Sequence, residues 1–284
     1  MAFRATPRYP WIAAMILVTR AVVWAQEVEP NEQAFPSDSQ DPQAVDGTGL
    51  LGAVCPGKIA TGKELGCAHC PPDSGFGSMD LPWSLESVTF GHFLSPASED
   101  AVLWMTGCEP HSRNFGGAVL LTRKSGRWSM LRYAAGLQIG RCHRLPLNDG
   151  REILVCIGTF GGQGNNLTNI YVEDLLSPRP ALMAAHGDED NIVFSAFDNT
   201  WTCGLDDHGR VTRTTIDKVE FRTSKTGAPL LSITASSGGG RAKPEGRLPC
   251  VPGRDPARPP TKTARADFEF DGKKFNEVPQ ARAR

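Results

Sequence analysis

What most restricts the fold of this chain is a set of eight cysteines behind an N-terminus laid out for export. Residues 1–10 carry Arg4 and Arg8 and no acid, and residues 11–18 and 21–23 are apolar, with Arg20 between them. Val23-Trp24-Ala25 puts permissive residues at the −3 and −1 positions of a cleavage site. The layout predicts a signal peptide over residues 1–25, a mature chain beginning at Gln26, and a periplasmic or extracellular destination. Removing those residues leaves 27 basic against 31 acidic side chains. No other apolar run approaches the ~18 residues of a membrane helix, so no span is expected after cleavage.

In an oxidising compartment an even cysteine count favours disulfides. Cys55, Cys67, Cys70, Cys108, Cys142, Cys156, Cys203 and Cys250 are therefore read as structural partners. One pairing follows from local geometry. Asn148-Asp149-Gly150 reads as a turn between strands at 143–147 and 151–157. Cys142 and Cys156 are each seven residues from Asp149, so a symmetric hairpin sets them opposite one another. A bulge at Pro146 would instead leave either one to Cys108 or Cys203.

Cys67-Ala68-His69-Cys70 is the sharpest chemical motif. A thioredoxin-type pair needs a helix after it, and Pro71-Pro72-Asp73-Ser74-Gly75 makes a loop instead. Haem attachment needs His where Pro71 stands. Zinc could use Cys55, Cys67, His69 and Cys70, but no second such pair is present. The motif reads as structural, with thiol-redox chemistry through Cys67 and Cys70 as an alternative. No metal or cofactor is expected.

A formal charge of −1 and a pI near 6.6 give no global basic field, which excludes nucleic acid as the expected partner. Residues 26–49 hold six acids, no Lys or Arg and three prolines, and are expected to be a disordered acidic linker. Residues 50–84 read as a cysteine-dense loop region. From residue 85 to 280 the pattern is β. Short runs at 88–94, 100–106, 117–123 and 127–133 form one set, with Lys124-Ser125-Gly126 as a turn. Runs at 142–147, 151–158, 169–175 and 191–202 form a second. Runs at 217–223, 229–235, 265–270 and 273–278 form a third, closed by Asp271-Gly272, the strongest hairpin signal in the chain. The expectation is an all-β fold of about three successive four-stranded antiparallel units, propeller-like or open, with a β-sandwich as the alternative.

Phe90-Gly91-His92-Phe93, Asp100-Ala101-Val102-Leu103 and Gly116-Gly117-Ala118-Val119-Leu120 follow one another in an order that resembles an FG-GAP or VCBS-type propeller repeat of bacterial exported proteins. Residues 147–155, Leu-Asn-Asp-Gly-Arg-Glu-Ile-Leu-Val, are similar to the later part of that motif. The resemblance covers about residues 85–158 and implies a propeller-like blade. The family's calcium loop does not carry over, because neither 94–100 nor 148–150 supplies enough oxygen ligands.

The most site-like polar clusters are Glu109-Pro110-His111 and Asp206-Asp207-His208. If the chain is an enzyme, Glu109, His111, Asp206, Asp207 and His208 are its candidate catalytic residues, though no nucleophile elbow accompanies them. The Gly-rich stretch 158–166 lacks the Lys-Ser/Thr of a phosphate loop and reads as a connection between strands. Asn166-Leu167-Thr168 is a glycosylation sequon. Residues 238–265 carry seven basic side chains against two acids, with six prolines, and read as a solvated basic insertion without the aromatics of base stacking. Trp83, Trp104, Trp128 and Trp201 read as β-core residues. The functional expectation is an exported, disulfide-stapled β-repeat module that binds or scaffolds a protein or polysaccharide. An exported hydrolase, with its site on loops at one end of the β-units, is the alternative.

Overall fold

The strand runs at 100–106, 117–122, 153–157 and 168–173 are buried on both faces, so that part of each sheet is covered on both sides. The computed structural model describes residues 30–55, 57, 59–60, 65–70, 83–108, 117–162, 165–177, 191–199, 210–241 and 262–279. Among these residues two short helices, α1 (Pro30–Gln33) and α2 (Gly47–Leu51), precede fourteen strands. The first sheet runs in chain order through β1 (Ile59–Ala60), β2 (Gly66–Cys67), β3 (Trp83–Gly91), β4 (Asp100–Thr106), β5 (Gly117–Lys124) and β6 (Arg127–Ala135). The second runs through β7 (Arg141–Pro146), β8 (Glu152–Gly162), β9 (Asn165–Glu173), β10 (Ile192–Asp198), β11 (Arg210–Thr223), β12 (Pro229–Arg241), β13 (Lys262–Phe270) and β14 (Phe275–Glu277). Among the described residues every strand pairing is antiparallel and joins neighbours in sequence.

The fold is thus all-β and antiparallel. The first group of four strands predicted from the sequence is β3–β6. The second and third groups join along β10 and β11 into one continuous, open sheet of eight strands. The Gly-rich stretch lies largely within the β8–β9 ladder, where Gly158 pairs with Asn169 and Gly162 with Asn165.

Parity along the strands sets three apolar layers. Ala101, Leu103 and Met105 of β4, with Val119 and Leu121 of β5, face a cover made by α2 and the cysteine-rich segment. Val102, Ala118 and Leu120 point the other way, onto Leu154, Cys156 and Tyr171 of the second sheet. Ile153, Val155, Ile157, Ile170 and Val172 then face a third layer with Ile216, Leu231, Phe268 and Phe270. For β8 and β13 to share a core, the eight-stranded sheet must curl on itself. His143 of β7 stacks on Phe221 of β11 at 4.0 Å between ring centroids, across the interior of that curl.

Residues 30–49 are not disordered, contrary to the reading of their composition. Phe35 is 1% exposed inside the curl, edge-on to Phe221. Asn31 donates to Thr168 Oγ1 and accepts from the Ile216 amide. The acids that suggested disorder act as local acceptors. Asp41 caps a short 3-10 turn by accepting from the Gln43 amide, and Asp46 caps α2 by accepting from the Gly49 amide. Asp38 accepts from the Arg144 amide at 2.8 Å. Residues 26–29 lie outside the described residues.

Among the described residues three disulfides are formed. Cys55 joins Cys67 and Cys70 joins Cys108, pinning the cover onto the first sheet, and Cys142 joins Cys156. The last pair is directly opposed in the β7–β8 ladder with Cα atoms 4.0 Å apart. The turn is a three-residue loop with Gly150 at φ +84°, which keeps the hairpin symmetric about Asp149. Cys203 and Cys250 lie outside the described residues.

Phe35→Ala should lower the unfolding free energy by about 3–4 kcal/mol, because it empties the interior of the curl; urea denaturation checks this. Burial holds the His143 imidazole below its ordinary value of 6.5, partly opposed by the Asp38 carboxylate 3.0 Å away. The neutral ring is favoured in the fold, so its contribution is complete above pH 6.5 and is lost as pH falls below that value. Thermal melts between pH 5 and 7.5 should show that loss, and His143→Gln should flatten it.

Candidate functional site

Because the sheet curls, turns far apart in sequence meet at one end of it. The β7–β8 turn supplies Asn148 and Asp149, the β11–β12 turn supplies Thr226 and Ala228, and the β13–β14 turn supplies Asp271 and Gly272. Together they line an open groove of about 770 Å³. Pro146, Leu147, Pro229 and the buried Phe270 give it an apolar floor, and Arg151, Glu269 and Asn276 add polar walls. A smaller hollow of about 270 Å³ continues it past Arg151 towards Glu173, Asp174 and Asn191.

Each turn forms for a local reason. Gly150, Gly227 and Gly272 have φ of +84°, +87° and +97°, the left-handed conformation in which a side chain is strained. Acidic side chains then tie the turns. Asp149 accepts from the Arg151 amide and guanidinium, and that guanidinium also reaches Asp174. Glu269 accepts from the Ser224 and Thr226 hydroxyls, clamping β13 to the β11–β12 turn. Asp271 accepts from the Lys273 and Lys274 amides and from Asn276.

These bonds favour the charged carboxylates. The Arg151 side-chain hydrogen bond lowers Asp149, and the Thr226 hydroxyl, then Ser224, lowers Glu269. The Lys274 and Lys273 amides lower Asp271 to about 2. The same Asp149 bond raises Arg151. The groove therefore presents three ionised carboxylates against one guanidinium at neutral pH, with none of the three acids raised towards neutrality as a general acid requires. Hydroxyl and amide groups of Thr226, Asn148 and Asn276 sit among them. This surface suits hydrogen bonding to a polar ligand.

Of the residues singled out from sequence, Glu109, His111, Asp206, Asp207 and His208 lie outside the described residues. Cys67 and Cys70 are not a vicinal pair: Cys67 bonds Cys55, and Cys70 bonds Cys108. Cys67 is on β2 and residues 68–70 are not helical, and the pairing formed is not the Cys67–Cys70 disulfide that the thiol-redox reading requires. The same bonds remove Cys55, Cys67 and Cys70 as zinc ligands, and no group of His, Cys, Asp and Glu among the described residues could hold a metal. The sequon lies within β9, where Asn166 pairs with both Gly161 and Asp198 and Thr168 is 2% exposed. Trp83 is fully buried against Tyr133, while Trp104 is half-buried and packs on the middle layer. Trp128 is half-buried beside Phe90 and under Arg123, and Trp201 lies outside the described residues.

The groove residues were missed because each looks like ordinary turn chemistry in its own segment. The Asn-Asp-Gly and Asp-Gly signals were visible; their convergence was not. No protein-family model matches the chain, and no curated protein matches it with significance.

Asp271→Ala should speed hydrogen exchange at the Lys273 and Lys274 amides, whose acceptor it removes. In the wild-type chain the tie is complete above the ordinary carboxylate value of 3.8 and fades as pH falls towards about 2. An NMR titration of the Asp271 carboxyl, read with amide exchange, checks both.

Proposed function

We propose that this chain is an exported, disulfide-stapled binding module that takes its ligand in the groove at the turn end of the curled sheet. The groove itself carries the reading. It brings a polar, pre-ordered lining from three separate hairpins over an apolar floor, which is how binding surfaces are built on β-scaffolds. The three disulfides fit an oxidising compartment, where they resist reduction. With three carboxylates against one guanidinium, the lining disfavours a polyanion and favours a hydroxyl-rich neutral or cationic ligand, with a saccharide chain as the leading class. Kinship with FG-GAP and VCBS-type repeats belongs to the same proposal. Of its motif residues, Phe90 and Gly91 end β3, Asp100–Leu103 open β4, Gly117–Leu120 open β5, and residues 147–155 run through the β7–β8 turn that lines the groove.

The secreted protein should bind members of a glycan array in a way that depends on the groove. Asn148 is exposed at the groove wall. Asn148→Trp should fill the space and weaken binding by at least about tenfold, the effect of losing one good contact, with the melting temperature unchanged. Binding that survives this substitution would place the ligand elsewhere, and an array without hits would remove the saccharide assignment.

A further inference from the structure

Residues 31–40 lie across the protein in the manner of a bound peptide, and they hold no cysteine, so no disulfide ties them covalently. Their ties to the body are non-covalent and long-range. Phe35 is the anchor, buried among Leu145, Ile157, Ile216 and Leu231. Arg141 donates to the Phe35 carbonyl. Beyond the anchor the segment runs along the free edge of β7. The Asp38 amide donates to the Cys142 carbonyl at 2.7 Å, the Cys142 amide donates to Ser39 Oγ at 3.0 Å, and the Arg144 amide donates to Asp38 Oδ2. Gln40 then exchanges both backbone hydrogen bonds with Val88, on the part of β3 that lies beyond its pairing with β2 at Trp83 and Ser84.

This is strand addition at a sheet edge combined with one aromatic anchor in an apolar pocket, the two components by which many peptide-binding domains hold their ligands. Both sheets have complete strand pairings without it. We infer that the curl interior and the β7 edge form a peptide-binding site, occupied here in cis, whose ligand class is an extended acidic peptide with a Phe anchor followed by Asp and Ser.

Gln43 and Ala44 are exposed in the 3-10 turn that links the segment to α2. A protease site introduced there lets the full, folded chain be nicked while both pieces remain present. Fluorescein-labelled peptide of residues 30–42 is then added. The uncut protein should take up none, because the tethered segment competes at an effective concentration on the order of millimolar. The nicked protein should take up the label saturably. A Phe35→Ala peptide should bind about thirtyfold more weakly, as expected for loss of an interfacial anchor, and an Asp38→Ala peptide should also bind more weakly. As a second variant, uncut Phe35→Ala chain should accept the wild-type peptide in trans. Near-UV circular dichroism reports the fold throughout. The inference falls if the nicked chain loses its near-UV spectrum, which would make the segment part of the folding core. It also falls if the nicked and Phe35→Ala chains stay folded and take up no peptide. Asn148→Trp should leave peptide uptake intact, which separates this site from the groove.

Discussion

An open β-sheet leaves unpaired N–H and C=O groups along its edge strands, and those groups need partners once they leave water. In this protein that constraint falls on β7. Cys142 faces Cys156 in the ladder, and in the close pair its own amide and carbonyl point away from β8. Ser39 and Asp38 satisfy both. Gln40 does the same for Val88 on β3. One short segment thus closes the β7 edge, bonds to an uncovered part of β3 in the other sheet, and delivers Phe35 into the curl. The strands pair with one another without it, and the seam adds the contacts that shield the β7 edge and fill the curl.

The second consequence concerns shape. A sheet with both faces apolar has to be covered twice. The face of β8 and β9 that bears Leu154, Cys156 and Tyr171 is covered by β4 and β5. The opposite face is covered by the far half of the same sheet, which folds over to meet it. Arg132 helps hold the two sheets together by donating to the carbonyls of Leu175 and Ser177. The curl that buries the third layer also carries the three turns to a common mouth, so the groove is a by-product of the demand for burial. Its carboxylates serve first as turn ties, which is why they are strongly ionised and already ordered.

Much of the local structure was legible in the residues. The run Asp100–Thr106 is the strand β4 from end to end, and Asp271-Gly272 opens the last hairpin. The Asn148-Asp149-Gly150 turn places Cys142 opposite Cys156 because a two-residue strand period and a symmetric loop leave one register. Misreadings arose where a residue's role depends on a distant partner. Acids in residues 30–49 look like a disordered tail by composition, yet Asp38, Asp41 and Asp46 accept from backbone amides. A single Phe in such a stretch carries no periodic signal, although it fills the centre of the third layer. The sequence pattern marks only part of the long β11 and β12, because Gly238 and Gly239 have no side chains to mark a face and are held by pairing with Arg213 and Thr212.

Sequence by itself determined the strand class, the hairpin turns and the opposition of Cys142 and Cys156, because each rests on residues within one or two turns of chain. Tertiary structure decided which cysteines Cys67 and Cys70 bond, that the second and third strand groups form one sheet, that residues 31–40 pack as a strap, and that three turns share a groove. Those outcomes depend on how buried faces of distant segments match in area and shape. That matching is a property of the assembled layers, and no local pattern encodes it.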